Sequence, residues 1–319
     1  MTENIVLHIG PHKTGTTAIQ QMLFSQSTSK NCGFYYPFVS TDEMGQHTFA
    51  QLASDPKRTE FSEMLRALKS TAKMCILSSE ELCYLPDTGM RRLRMALPNA
   101  NVTIAYYQRD ILSLLQSWWQ EKIKHGSTQT LLEFLFACLL APQHLHLLVP
   151  DILLSSWASV FGRGAIRIFR YDNIADVARQ FACDFLGVKL PAETLTASNR
   201  SYDHLDCEMI RFWNMHGFWG AGVIQSPDYD ETRAELVERS GDFSEKFVLD
   251  YGRKEFSGIE DILISRWGDR IEGFDGGRLF QIREKSYSYI RPDFWAANPH
   301  FSKSMREFAL QRPAYSQRK

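Results

Sequence analysis

Short apolar runs punctuate the first half of the chain at Ile5–Ile9, Met74–Leu77, Val102–Tyr106 and Ala165–Phe169. Runs of this length, bounded by polar or glycine-containing segments, read as largely buried strands. Between them, apolar residues recur three and four positions apart. Ala18, Ile19, Met22 and Leu23 predict a helix directly after the first strand, and Phe61, Met64, Leu65 and Leu68 predict another. Leu153, Leu154, Trp157, Val160 and Phe161 give a helix closed by Gly162; Ile174, Val177, Ala178, Phe181 and Phe185 give one closed by Gly187. A further strand is expected around Gly33–Tyr36. This alternation predicts a three-layer α/β fold: a central, mainly parallel sheet with helices on both faces.

Residues 201–319 read differently. Leu205, Met209, Ile210 and Trp213 form a helical face ended by Gly217, and beyond Phe243 the pattern weakens. One domain spanning 1–319 is expected, with an α/β core over 1–200 and a helical, aromatic-rich extension over 201–319 packed on it. There is no internal repeat and no low-complexity tract.

In a parallel sheet, ligands gather at the carboxyl ends of the strands. Three polar segments fall on that rim. The first strand runs into Gly10-Pro11-His12-Lys13-Thr14-Gly15-Thr16-Thr17, the Met74 strand into Ser78-Ser79-Glu80-Glu81, and the Val102 strand into Arg109. A strand, a glycine loop and a helix N-terminus make an anion site, because free N–H groups and the positive end of the helix dipole point at one place. Lys13 adds a full charge there, and Thr14, Thr16 and Thr17 add hydroxyls. Gly10 and Gly15 have the separation of the glycines in a nucleotide-triphosphate loop. The residue after Gly15 is Thr16, however, where that loop needs its lysine.

Pro-His-Lys-Thr-Gly-Thr-Thr resembles the 5′-phosphosulfate loop of sulfotransferases that use 3′-phosphoadenosine-5′-phosphosulfate (PAPS). That family carries a second signature, a strand ending in arginine with a serine eight residues later on the next helix. Here Val102–Arg109 is followed by Ser117, about ninety residues after the loop; Ile111 replaces the proline the family often has after Arg-Asp. The resemblance implies a P-loop-like fold and sulfuryl transfer from PAPS to a hydroxyl, leaving 3′-phosphoadenosine-5′-phosphate (PAP). It implies that His12, Lys13, Thr14, Gly15, Thr16 and Thr17 hold the 5′-phosphosulfate, that Lys13 stabilises the leaving oxygen, and that Arg109 and Ser117 hold the 3′-phosphate. Family members use histidine or glutamate as base, which makes His47 and Glu80 the candidates beside Lys13 for catalysis. His47 follows the polar segment Ser40–Gln46, and Glu80 follows a strand on the same rim. The similarity is closest to bacterial-type and carbohydrate sulfotransferases, so a glycan or exopolysaccharide acceptor is expected, with no metal required.

Other polar and aromatic groups have plainer readings. His8 reads as a strand side chain. His144 and His146 read as packing residues, Trp118 and Trp119 as buried aromatics or walls of an acceptor cleft, and Asn199-Arg200-Ser201 as a polar loop near the 3′-phosphate. Lys and Arg total 36 against 37 Asp and Glu, a net charge of −1, which gives no general attraction to nucleic acid. Six cysteines, Cys32, Cys75, Cys83, Cys138, Cys183 and Cys207, have no metal-ligand or Cys-x-x-Cys spacing, which reads as a reducing compartment. The most apolar stretch, Leu131–Leu140, is too short to span a bilayer, so no membrane span and a cytoplasmic location are expected. Two readings compete with sulfuryl transfer. A nucleotide-triphosphate-dependent kinase would need a lysine at position 16, and a non-catalytic nucleotide-binding module would keep the donor residues but not the chemistry.

Overall fold

The computed structural model describes residues 4–28, 33–37, 44–55, 57, 60–61, 73–140, 148–190, 202–250, 254–280 and 284–317. Among the sequence expectations, Met64, Leu65 and Leu68 of one helical face, residues 40–43, Cys32, His144, His146 and Asn199-Arg200-Ser201 lie outside the described residues.

The chain forms two compact units. The first comprises residues 1–110, 145–196 and 257–281, and the second 111–144, 197–256 and 282–319. In the first, β1 (Asn4–His8), β2 (Met74–Ser78), β3 (Asn101–Gln108) and β4 (Ile166–Arg170) form a four-stranded sheet in the order β2-β1-β3-β4. Every pair is parallel: Val6 lies opposite Ile76 and Thr103, and Tyr106 opposite Ile168. All four strands fall where the apolar runs placed them, within one or two residues. The strand expected around Gly33–Tyr36 reduces to a single parallel bridge, in which Tyr35 N–H donates to the Met74 carbonyl and the Tyr35 carbonyl accepts from Ile76 N–H.

The strands are apolar throughout because both faces are covered. On one face, α1 (Thr16–Ser27) and α7 (Val177–Phe181) pack together, and Ile19, Met22, Leu23, Ala178 and Phe181 join Val6, Ile76, Ala105, Tyr107 and Phe169 in one core. By the pleat, Leu7, Leu77, Ile104 and Ile168 point the other way, and they too are buried. There α6 (Pro150–Phe161) packs on β4, and α3 (Asp87–Ala96) packs on α6 and on α2 (His47–Ser54). The predicted α/β architecture is therefore present, a parallel sheet flanked by helices.

The second unit opens with α4 (Ile111–Lys124) and α5 (Leu131–Leu140), and continues with α8 (His204–Met215) and α9 (Tyr229–Ser240). Its core residue Trp213 donates its indole N–H to the Met305 carbonyl at 2.8 Å. Besides helices it holds an antiparallel ladder of β5 (Ser244–Asp250) and β6 (Glu284–Ile290), which the weak pattern beyond Phe243 did not reveal. In β5 the polar run Ser244-Glu245-Lys246 hides any alternation; in β6 polar and aromatic residues do alternate over Ser286–Tyr289, but only across four positions. Helix α10 (Lys254–Trp267) lies between them in sequence but belongs from Ser257 onward to the first unit, and α11 (Pro299–Leu310) follows β6.

His8 ends β1 fully buried between Tyr107 and Phe181, whose rings lie 5.4 and 5.6 Å away. Its Nδ1 is 2.7 Å from Ser78 Oγ, and burial pulls its pKa from 6.5 down to about 3. The unfolded chain takes up this proton as pH falls through 6.5, whereas the folded chain resists until about 3, so His8 lowers stability over that window and not above it. The expected contribution is a loss of about 1 kcal/mol per pH unit between pH 6.5 and 3. Urea denaturation across pH will show a flatter slope in His8→Asn; equal slopes in both proteins would refute the assignment.

Candidate active site

The sheet order places β1 between β2 and β3, so the chain leaves β1 at the point where successive connections diverge. At such a switch point a crevice opens outside the carboxyl ends of the strands. The loop from Gly10 to Gly15 sits there. Its backbone takes positive φ at Gly10 (82°), Lys13 (67°) and Gly15 (73°). The two glycines accept this at little cost, and they also permit close packing. A Cβ at Gly10 would lie 3.2 Å from Glu80 Cα, and one at Gly15 would lie 2.5 Å from Val177 Cγ1. Lys13 has no such freedom, and a left-handed lysine costs about 1–3 kcal/mol. Arg109 holds it in place, donating from a guanidinium nitrogen to the Lys13 carbonyl at 2.6 Å.

Gly15 is the N-cap of α1, with no side chain capping the helix and no acidic residue in its first turn. The dipole of this twelve-residue helix is thus uncompensated at its positive end, and Lys13 stands two residues before the cap. Thr14 is buried, and its hydroxyl donates to the Pro11 carbonyl at 2.6 Å, so it braces the turn. Thr16 is buried in the first turn of α1 and Thr17 is exposed.

The second and third segments come to the same rim of this unit. Ser79 caps a short 3-10 helix, Glu80–Tyr84, by accepting from Glu81 N–H. Glu80 Oε2 accepts from Gln20 Nε2 at 2.8 Å. His12 lies between the two carboxylates, Nδ1 3.9 Å from Glu80 and Nε2 3.5 Å from Glu81. Its hydrogen bond holds the Glu81 carboxyl below the usual range, against the effect of burial. His47 opens α2, and its Nδ1 is 3.0 Å from Ser79 Oγ. It is held there by Gln46, whose side-chain oxygen accepts from Ser78 N–H at 2.6 Å while its backbone N–H donates to the Ser78 carbonyl at 2.9 Å.

Arg109 follows β3, its guanidinium 5.3 Å from the Tyr171 ring centroid and its Nε buried without a hydrogen-bond partner among the described residues. The next residue, Asp110, donates its backbone N–H to Asp172. Thus His12, Lys13, Thr14, Gly15, Thr16, Thr17, His47, Glu80 and Arg109 all belong to the first unit, at the carboxyl ends of β1, β2 and β3. Ser117 is on α4, half-buried, in the second unit. Trp119 is buried there and donates its indole N–H to the Gln129 carbonyl at 3.0 Å; Trp118 is half-buried.

Sequence reasoning missed Gln20, Ser79 and Gln46. Gln20 left a signal, a polar residue beside Ile19 on the inward face of α1, where it is 4% exposed. Gln46 left none, because its role is to pair with the end of β2, 32 residues later.

No protein-family model matches the chain, and no curated protein matches it in sequence. Among solved structures, a sulfotransferase from Alicyclobacillus acidocaldarius is similar at 12% identity, over 68% of this chain and 96% of that one, with a TM-score of 0.43.

Proposed function

We propose that the protein is a sulfotransferase that moves the sulfuryl group of PAPS to a hydroxyl acceptor, releasing PAP. The observation that carries this reading is the uncapped N-terminus of α1 behind a loop that holds Lys13 in a left-handed conformation at the switch point of the sheet. Such a turn binds a phosphate through backbone N–H groups. The sequence motif, with Lys13 before Gly15 and Thr16 after it, fits a phosphosulfate better than a nucleoside triphosphate.

Sulfuryl transfer resembles phosphoryl transfer in that positioning and fixed positive charge supply most of the acceleration. Lys13 neutralises charge developing on the bridging oxygen as the S–O bond to the 5′-phosphate breaks. Residues His12 to Thr17 hold the 5′-phosphate and Arg109 the 3′-phosphate, for which the sequence motif also implies Ser117. For Arg109 this is a double duty, since it also braces the Lys13 carbonyl; donor binding and loop geometry are then coupled through one guanidinium. His47 and Glu80 are the candidates for activating the acceptor, whose class, a carbohydrate, rests on the sequence resemblance.

Two outcomes test the reading. PAP will bind at least about tenfold more tightly than ATP, which lacks the 3′-phosphate; calorimetry giving equal affinities would sink it. Lys13→Ala will lower turnover about 100- to 1000-fold at saturating substrates while PAP still binds. Retention of more than about a tenth of wild-type turnover would remove Lys13 from this role.

A further inference from the structure

Two residues compete for the acceptor base, and a hydrogen-bond count separates them. Ser79 is fully buried. Its Oγ has two polar neighbours among the described residues, accepting from Glu81 N–H at 3.2 Å and lying 3.0 Å from His47 Nδ1. A serine hydroxyl carries one proton, and a buried hydroxyl places it on an acceptor. Glu81 N–H is a donor and cannot take it. Among the described residues the acceptor within reach is His47 Nδ1, in the tautomer that leaves it a lone pair.

We propose that Ser79 fixes neutral His47 as the tautomer protonated on Nε2, so that His47 presents a hydrogen-bond donor to the rim and Glu80 is the base. This rests on the sulfuryl-transfer reading for its chemistry, but not for the tautomer. The far side of the imidazole is closely packed. A Cβ at buried Gly45 would lie 2.8 Å from His47 Nε2 and 2.7 Å from Gln20 Nε2, so only glycine fits there without pushing either side chain away. Gln20 spends its amide on Glu80 Oε2 at 2.8 Å and on the Ser78 carbonyl at 3.5 Å. That fixes one carboxylate oxygen and turns Glu80 into an oriented group beside the loop, where Gly10 packs on its Cβ.

The residues then divide the work. The acceptor oxygen forms the new S–O bond, the S–O bond to the 5′-phosphate breaks with its electron pair left on the phosphate oxygen, and the hydroxyl proton passes to the Glu80 carboxylate. The His47 Nε2–H donates to the reacting group and takes no proton. Ser79 touches neither substrate; it is a positioning residue acting through His47, and the same hydroxyl caps the helix that carries Glu80 and Glu81.

The test is nitrogen-15 NMR of the full-length protein near pH 8.5, where an ordinary imidazole is neutral, with the His47 signals assigned by their loss in His47→Gln. Wild type will show an unprotonated Nδ1 and a protonated Nε2, and Ser79→Ala will relax toward a mixture of both tautomers. A proton on Nδ1 in the wild type would overturn the proposal. Turnover supplies the second arm. His47→Gln keeps an N–H donor and will stay within about tenfold of wild type, while Glu80→Gln will lose about a hundredfold or more, both with PAP affinity retained. The reverse order would also overturn it. The NMR arm needs neither donor nor acceptor, so its failure is separate from that of the sulfotransferase reading, which fails if the wild type neither binds PAP nor forms sulfated product.

Discussion

A left-handed lysine in the turn after β1 is the constraint on which the rim depends. The chain leaves a central strand, reverses within seven residues and enters a helix whose N-terminus stays uncapped. Lys13 would drift to an ordinary backbone conformation unless its neighbours over-determined its position. Several do. Arg109 holds its carbonyl, the Thr14 hydroxyl ties the turn to Pro11, and a methyl group added at Gly15 would collide with Val177 while one at Gly10 would crowd Glu80. The strain is spread over β3, the segment after β2 and α7. Each of these is anchored in the sheet or its core, so the loop inherits the rigidity of the sheet.

That arrangement brings an electrostatic conflict with it. Glu80 and Glu81 sit beside a turn suited to anions, and two carboxylates there oppose an anionic ligand. His12 is interposed between them, and its hydrogen bond lowers the pKa of the Glu81 carboxyl against the effect of burial. Gln20, an uncharged amide, occupies one oxygen of Glu80. Glu80 and Glu81 lie on the β2 side of the rim, while Lys13 and the α1 N-terminus follow β1, and Arg109 follows β3 together with Asp110, whose backbone N–H is bonded to Asp172.

The second unit holds its charged groups in a different way. Glu208 and Arg211 form a buried pair on α8, with Trp295 donating to Glu208 Oε1 at 2.6 Å and Arg211 donating to the Thr128 carbonyl at 3.1 Å. Asp206, also buried, accepts from Tyr229 at 2.8 Å and Arg233 at 3.0 Å while completing a capping box with Asp203. Such pairs add little net stability over apolar residues, yet removing one partner is costly, because the other is left buried and charged. Their effect is to fix α8 against α9 and the Trp295 segment.

The sequence by itself determined the parallel sheet, most of its helices and the composition of the anion turn. These are local facts: a run of apolar residues long enough for a strand, a 3.6-residue period, and glycines at the two positions where the backbone needs positive φ. His8 was legible for the same reason, but only as a strand residue; its full burial and lowered pKa come from the packing of Tyr107 and Phe181 around it. What the tertiary structure decided was pairing across distance. Neither the β5–β6 ladder, whose strands are separated by more than thirty residues, nor the bond from Ser79 to His47 leaves a periodic trace. The surroundings of His47 and Glu80 are of this kind. Residue type made both eligible, whereas the contacts that orient them, Ser79 Oγ at His47 Nδ1 and Gln20 Nε2 at Glu80 Oε2, join residues 32 and 60 positions apart and exist only once the chain has folded.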